Sequence, residues 1–223
     1  MRQQAPVVIE CLALNIGQLR PLGGSGLLSA IDKRPVDGSV RITRLGLSGD
    51  AQGDRAHHGG PDKALHHYPA DHYDRWAAEL PGHAALFQNG AFGENISSRG
   101  FTEADVCVGD RWRLGKALLE VSQGRQPCRR LDLRFALPDM VERVRDTGRT
   151  GWYYRVLEEG EAAAGDRLSL VERPHPRWSV ARVFEVLFGP HKDAAALADL
   201  LRLGVLADGW RQRAARRLLD TAG

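Results

Sequence analysis

The sequence predicts a mainly β chain of the α+β class. A β-barrel or sandwich-like domain with peripheral helices is expected over residues 1–174, and a small three-helix domain over 175–223. Three observations lead there. Short runs of alternating apolar and polar residues dominate the first 174 positions. Glycine-rich breaks separate those runs. After the two prolines of ERPHPRWS the apolar period changes from two to about 3.6.

The expected strands, in order, are VVIECLAL (7–14), VRITRLGL (40–47), RWRLGKALLEVSQ (111–123) and GDRLSLVER (165–173). PLGGSG, SGDAQGD, HHGGPD and NGAFGEN punctuate them. Two helices interrupt the β pattern. PADHYDRWAAEL carries Tyr73, Trp76, Ala77 and Leu80 at helical spacing behind Pro69. LPDMVERVRDTG is a second, stopped at Gly148. The second half of residues 147–170 reads as a hairpin with Gly165 and Asp166 at its turn. Three helices then follow. Ser179 is placed to cap the first, SVARVFEVLF, and Asp193 the second, DAAALADLLRL; ADGWRQRAARRLLD is the third. Fewer than 50 residues seldom form a stable core alone, so this unit is expected to dock on the barrel.

A length of 223 residues is enough for a sizeable core. No apolar run reaches the roughly 18 residues of a membrane helix. The N-terminus lacks the apolar centre of a signal peptide, which makes the cytoplasm the expected location. Three cysteines at irregular spacing (11, 107 and 128) argue against a disulfide framework and against a cysteine-rich zinc site. The net charge of +3 lies entirely in the last 49 residues, with 8 basic against 5 acidic side chains; residues 1–174 balance at 23 and 23. So small an excess reads first as a solvated helix face, and not as a nucleic-acid surface.

Four segments could carry chemistry. GLSGDAQGDRAHHGGPDKALHHY (46–68) gathers Asp50, Asp54, His57, His58, Asp62, Lys63, His66 and His67 among glycines, where backbone can approach a ligand closely. Its histidine spacing matches no zinc-binding helix pattern. GAFGENIS (90–97) reads as a tight turn whose Asn95 either holds the turn or touches a ligand. SQGRQPCRR (122–130) sets Cys128 among arginines, a setting that stabilises a thiolate, whereas Cys11 and Cys107 sit in apolar alternation as core residues. On these residues alone Cys128 is as readily structural as reactive. Arg125 offers a planar fork for phosphate or carboxylate, and Arg149, in the TGRTG turn, is a further anion contact left open.

Taken together and in order, GLSGD, HHGGPDKALHHYP, GAFGENIS, CVGDRWRLGKALLEVSQGRQPC, TGRTGWYYRVLEEG and AGDRL resemble the MOSC domain family, the domain at the C-terminus of molybdenum cofactor sulfurases. The match is nearest to its stand-alone bacterial YiiM-like branch, linked to 6-hydroxylaminopurine resistance, whose chains also end in a three-helix (3-alpha) domain. The resemblance covers nearly the whole chain. It implies a β-barrel and a pterin-based molybdenum cofactor, with Cys128 as the essential cysteine and the molybdenum ligand; thiolate is a soft donor suited to such a metal.

By the same resemblance, His58 and Lys63, in the family's HGG-x-x-[KR]-A segment, are candidates for proton delivery or charge stabilisation. Gly59, Gly60, Asn95, His67, Arg125 and Arg149 would line the cofactor pocket. The implied activity is a molybdenum-dependent oxidoreductase that reduces N-hydroxylated bases and hydroxylamines, detoxifying base analogues with electrons from a separate redox protein. Neither a nucleic acid nor a membrane is implied as partner, and a homodimer stays open. Two rivals remain: a non-redox carrier of the cofactor or its sulfur, and a Cys–His nucleophilic transferase pairing His58 with Cys128. One departure stands out. The branch usually has proline where this chain has Gly124, which predicts a looser loop.

Overall fold

The computed structural model describes residues 7–51 and 59–221. The first strand, β1 (Val8–Gly17), follows its alternation: Ile9 and Cys11 are buried, and Val8, Glu10 and Leu12 face out. After the ribbon β2 (Arg20–Pro21) and β3 (Leu28–Ser29) comes β4 (Lys33–Pro35), paired with the far end of β1. The VRITRLGL run folds into two short strands, β5 (Val40–Thr43) and β6 (Gly46–Leu47). Then come β7 (Leu65–Pro69), helix α1 (Asp71–Glu79) and β8 (Ile96–Ser98). Next, β9 (Arg111–Leu114) turns over two residues into β10 (Ala117–Gly124). Helices α2 (Arg130–Phe135) and α3 (Met140–Thr147) precede β11 (Trp152–Glu158), β12 (Gly160–Ala162) and β13 (Arg167–Glu172).

Seven of these strands close a barrel in the order β13-β9-β10-β11-β7-β8-β1, and β1 returns to β13 through Val8↔Ser169. Closure removes the exposed edges of an open sheet. The pair β7–β8 is parallel, and the other ring pairs are antiparallel. The hairpin expected in the second half of 147–170 does not form. Gly165 does turn the chain (φ +88), but β11 pairs with β10 and β7, β12 pairs with β5, and β13 pairs with β9 and β1. A turn residue fixes where the chain reverses; closure of the barrel decides which strand it meets.

Three apolar clusters result. The barrel interior is filled by Trp112, Trp152, Tyr154 and aliphatic side chains. An aromatic layer of Tyr68, Tyr73, Trp76, Phe87, Phe92 and Phe135 packs α1 and α2 outside β7. The third cluster is the core of α4 (Val180–Phe188), α5 (Ala194–Arg202) and α6 (Asp208–Leu219), around Trp178 and Trp210. Ser179 Oγ accepts the Arg182 N–H at 3.2 Å and Asp193 Oδ1 the Ala196 N–H at 2.9 Å, the two expected caps. The unit is tied to the barrel by the Ala207 N–H donating to Ser122 O (3.0 Å) and the Val180 N–H to Val106 O (2.8 Å). Gly124 explains itself here. It is the buried last residue of β10, and a Cβ on it would stand 2.7 Å from Cη2 of Trp210. Missing bulk, and not a looser loop, is what this position supplies.

A cationic cleft beside Cys128

Cys128 sits in the connection between β10 and α2, half-buried, its carbonyl accepting the Leu131 N–H (2.9 Å). Arg125 anchors the start of that connection by donating its N–H to Gly151 O (3.1 Å). Both residues line a cleft enclosing about 620 Å³ of open space. The same cleft receives Lys33 from β4, Lys63 from the short turn Pro61–Lys63, His66 from β7 and Arg130 from α2. Against the four basic side chains Lys33, Lys63, Arg125 and Arg130 stands, among the described residues, the single carboxylate Asp50.

Asp50 is already engaged. Its carboxylate accepts from the Gly17 N–H (2.8 Å), from Asn95 Nδ2 (2.8 Å) and from Lys33 Nζ. Burial pulls the pKa of Lys33 down, and Asp50 acts in the opposite direction. Lys63, Arg125 and Arg130 bring further positive charge to the cleft. Arg125 is 5% exposed, and its Nη1 is buried with no hydrogen-bond partner among the described residues. An orphaned guanidinium nitrogen is expensive unless something binds it, so the cleft fits an anionic group.

The GAFGENIS turn is the frame of this site. The Glu94 carboxylate accepts from the Gly90 N–H (2.6 Å), the Phe92 N–H (2.9 Å), the Ser97 hydroxyl (3.2 Å) and the Tyr73 hydroxyl. It therefore folds its own turn. Burial raises its pKa even so, with these bonds opposing. Asn95 clamps strands: Oδ1 accepts the His66 N–H (3.1 Å), and Nδ2 donates to Asn15 O (3.2 Å) as well as to Asp50. It lines the cleft, and both ends of its amide are spent on protein.

Two expected pocket residues lie elsewhere. His67 points into the barrel, where Nε2 meets Ser98 Oγ (2.7 Å), Nδ1 meets Tyr154 Oη (3.1 Å), and its ring packs on Trp152 at 4.4 Å. Burial alone holds its pKa down to about 3. Successive strand residues face opposite ways, so its neighbour His66 takes the cleft side, beside Tyr153 (ring centroids 5.1 Å). His66 Nε2 donates to Thr150 O at 3.3 Å. Burial, then Arg125, drives its pKa well below the usual imidazole value, so it is neutral near pH 7. Arg149 is the second correction. It grips Glu79 with both terminal nitrogens (2.9 and 2.7 Å) and lies over Trp76 at 4.5 Å, holding α1 to the turn before β11. Gly59 and Gly60 line a neighbouring groove that shares Cys128. His57 and His58 lie outside the described residues.

Reading the sequence missed Lys33, Arg130 and Tyr153. Lys33 belongs to no motif; β4 brings it in by pairing with β1, and no local signal could have found it. Cys11 and Cys107 are buried, as their setting predicted. Burial, reinforced by Asp166, pushes the Cys11 thiol up to about 12, and burial raises Cys107 as well. Of the three cysteines, only Cys128 opens onto a cleft lined with cations. Among the described residues no group of three or more His, Cys, Asp and Glu side chains is arranged to hold a metal by itself, and no helix is long and apolar enough to cross a membrane.

A closed barrel whose Cys128 connection borders a cationic cleft defines a class. The chain belongs to the MOSC domain family, whose model matches residues 54–169. Within it the chain falls in the stand-alone YiiM-like branch, since residues 178–219 match the YiiM-like 3-alpha helix domain. Protein YiiM of Escherichia coli (strain K12) is 48% identical over 148 residues, 66% of each chain. Its crystal structure superposes with a TM-score of 0.81 at 34% identity, covering 97% of this chain and 94% of that one. Protein YflK of Bacillus subtilis (strain 168) is 40% identical over 202 residues, 90% of each. A Gibberella moniliformis (strain M3125 / FGSC 7600) protein named Reductase is 42% identical over 183 residues, which are 82% of this chain and 32% of that protein.

Proposed function

We propose that this chain is a molybdenum-cofactor-dependent reductase of N-hydroxylated compounds, with N-hydroxylated purine bases and hydroxylamines as substrates and detoxification of base analogues as its role. The observation that carries the reading is the pairing, in one cleft, of a half-buried cysteine with the buried, unpartnered Nη1 of Arg125. A phosphate-bearing pterin with a soft metal centre needs both kinds of donor. One similar protein, of which this chain matches 32%, bears a name that agrees with it, Reductase.

The residues fit such a group. Arg125, with Arg130 and Lys33 nearby, would hold its anionic part; Cys128 would offer thiolate to its metal. When bound, the cofactor supplies two-electron oxygen-transfer chemistry. The overall change is R–NHOH + 2 e⁻ + 2 H⁺ → R–NH2 + H2O, with electrons delivered by a separate redox protein. Lys63, on the turn beside Cys128, stabilises negative charge developing on the leaving oxygen. His66, neutral and donating to Thr150, orients and does not deliver protons.

Loading the full chain and Cys128→Ala with molybdenum cofactor tests this. Bound molybdenum and viologen-driven reduction of 6-hydroxylaminopurine are measured. Metal and turnover in the parent, with turnover lost in the variant, are expected. Metal without turnover would make the protein a carrier. No metal, under conditions that load a known member, would refute the cofactor assignment.

A further inference from the structure

Cys128 borders a second recess. This groove encloses about 1140 Å³ of open space and meets the cationic cleft at three residues, Lys63, Cys128 and Tyr153. One wall is the turn Gly59–Lys63. The floor is Gln123 and the Gln126–Cys128 connection, and the opposite wall comes from the three-helix unit through Ala207, Gly209 and Trp210.

The two recesses differ in chemistry. The cleft collects Lys33, Arg125 and Arg130. Among the described residues lining the groove only Asp62 and Lys63 are charged, and Asp62 is bound by Arg155 (2.8 Å). Otherwise the groove offers the Gln126 amide, glycine backbone and the flat rings of Tyr153 and Trp210, with Pro61, Pro127 and Ala207 between them, a lining that suits a neutral planar molecule; Gln123 is buried and spends its Nε2 on Gly124 O (3.1 Å). Its walls are locked together. Arg155 Nη1 donates to Val205 O (2.9 Å), the Ala207 N–H to Ser122 O (3.0 Å), and Ser122 Oγ to Asp62 O (2.5 Å). The three-helix unit thus fixes both a wall of the groove and the turn that carries Lys63.

We propose that this groove is the substrate subsite. It takes the neutral, planar, hydrogen-bonding body of an N-hydroxylated base and directs the N–O group to the junction at Cys128 and Lys63, while the cationic cleft takes the anionic cofactor. The three-helix unit is then a specificity wall. This rests on the reductase reading above and adds where, and by which chemistry, the substrate is held.

Gly209 gives a clean handle. It lies in the first turn of α6, and a Cβ there would meet nothing within 4 Å. Gly209→Trp and Gln126→Trp, each in the full chain, add bulk at two edges of the groove; Gln126 is exposed. Calorimetry measures binding of 6-hydroxylaminopurine and, separately, of inorganic phosphate. Both variants are expected to weaken the base about tenfold or more while phosphate binding stays within about twofold. Arg125→Gln is expected to do the reverse. In cofactor-loaded protein, kcat/KM for hydroxylamine, which needs no groove, is expected to fall less than about threefold in Gly209→Trp while that for the base falls about tenfold.

Base binding unchanged in both tryptophan variants would overturn the proposal. So would loss of base binding in Arg125→Gln, or a parent chain that binds no base. The reductase reading fails on a different result, a loaded parent that turns over neither hydroxylamine nor the base.

Discussion

Acid should destabilise this fold through His67. The side chain is fully buried, and its pKa is about 3 against an unperturbed 6.5, with burial as the sole cause. In the unfolded chain the imidazole takes up a proton as pH falls below 6.5; in the barrel it resists. The stability associated with a neutral His67 is therefore complete above pH 6.5 and is lost progressively from 6.5 down to about 3. Each unit of difference is worth about 1.4 kcal/mol, so lowering the pH from 7 to 5 removes about 2 kcal/mol through this one residue. His66 adds a loss of the same sign, because its pKa is also depressed. Urea titrations at pH 7 and pH 5, on the parent and on His67→Gln, isolate the effect. The variant starts less stable, since it gives up bonds to Ser98 and Tyr154. Between the two pH values, however, it should lose about 2 kcal/mol less than the parent. Equal losses would mean that His67 is protonated in the folded barrel, and the reasoning would fail.

Three further outcomes are expected. Gly124→Ala puts a methyl against the indole of Trp210, which is buried and cannot retreat; a loss of about 1–3 kcal/mol in urea melts is expected, and no loss would mean that the helical unit is loosely docked. Asn95→Ala strands the buried His66 N–H and Asn15 carbonyl and removes one donor to Asp50, for a loss of about 2–3 kcal/mol in the same assay. Arg125→Met should leave stability within about 1 kcal/mol of the parent, since it removes a buried charge with an unsatisfied nitrogen, and yet abolish the rise in Tm that phosphate gives the parent.

Barrel, helices and caps were readable because each is a local statement. Alternation marked β1, β9, β10 and β13; Gly148, in the left-handed region at φ +67, stopped α3; Ser179 and Asp193 capped α4 and α5. Pairing was less readable. Gly165 marked a reversal, but a glycine carries no information about which strand lies next in a closed sheet. The site divides the same way. Cys128 and Arg125 stood out because a cysteine among arginines is chemically odd. His67 and His66 could not be told apart by composition, because which of two adjacent strand residues faces the cleft is set by the register Trp152↔His67 and Tyr153↔His66. Arg149 looked like an anion contact until Glu79, 70 residues earlier, proved to be its partner. Lys33 was invisible because only the β1–β4 pairing delivers it.

The basic excess of the last 49 residues also changes meaning. Read as sequence, so small an excess was a solvated helix face. In the fold, Arg213 donates to Leu187 O (3.1 Å) and lies 4.1 Å over Phe188, while Arg217 donates to the carbonyls of Gly189 and His191. These two arginines close the C-terminal end of α4, where unsatisfied carbonyls and the helix dipole favour positive charge. Such charge is already committed within the chain, and a partner would have to compete with those carbonyls for it. The contrast with Arg125 is one of place. Arg217 Nε and Arg125 Nη1 are both buried without a hydrogen-bond partner among the described residues, but Arg217 spends its Nη2 on two carbonyls at a helix end, whereas Arg125 borders a cleft that it shares with Cys128, Lys63 and Arg130. An anion that reaches Arg125 there meets further cations at once, so the cleft, and not the helix end, is where a bound anion is expected.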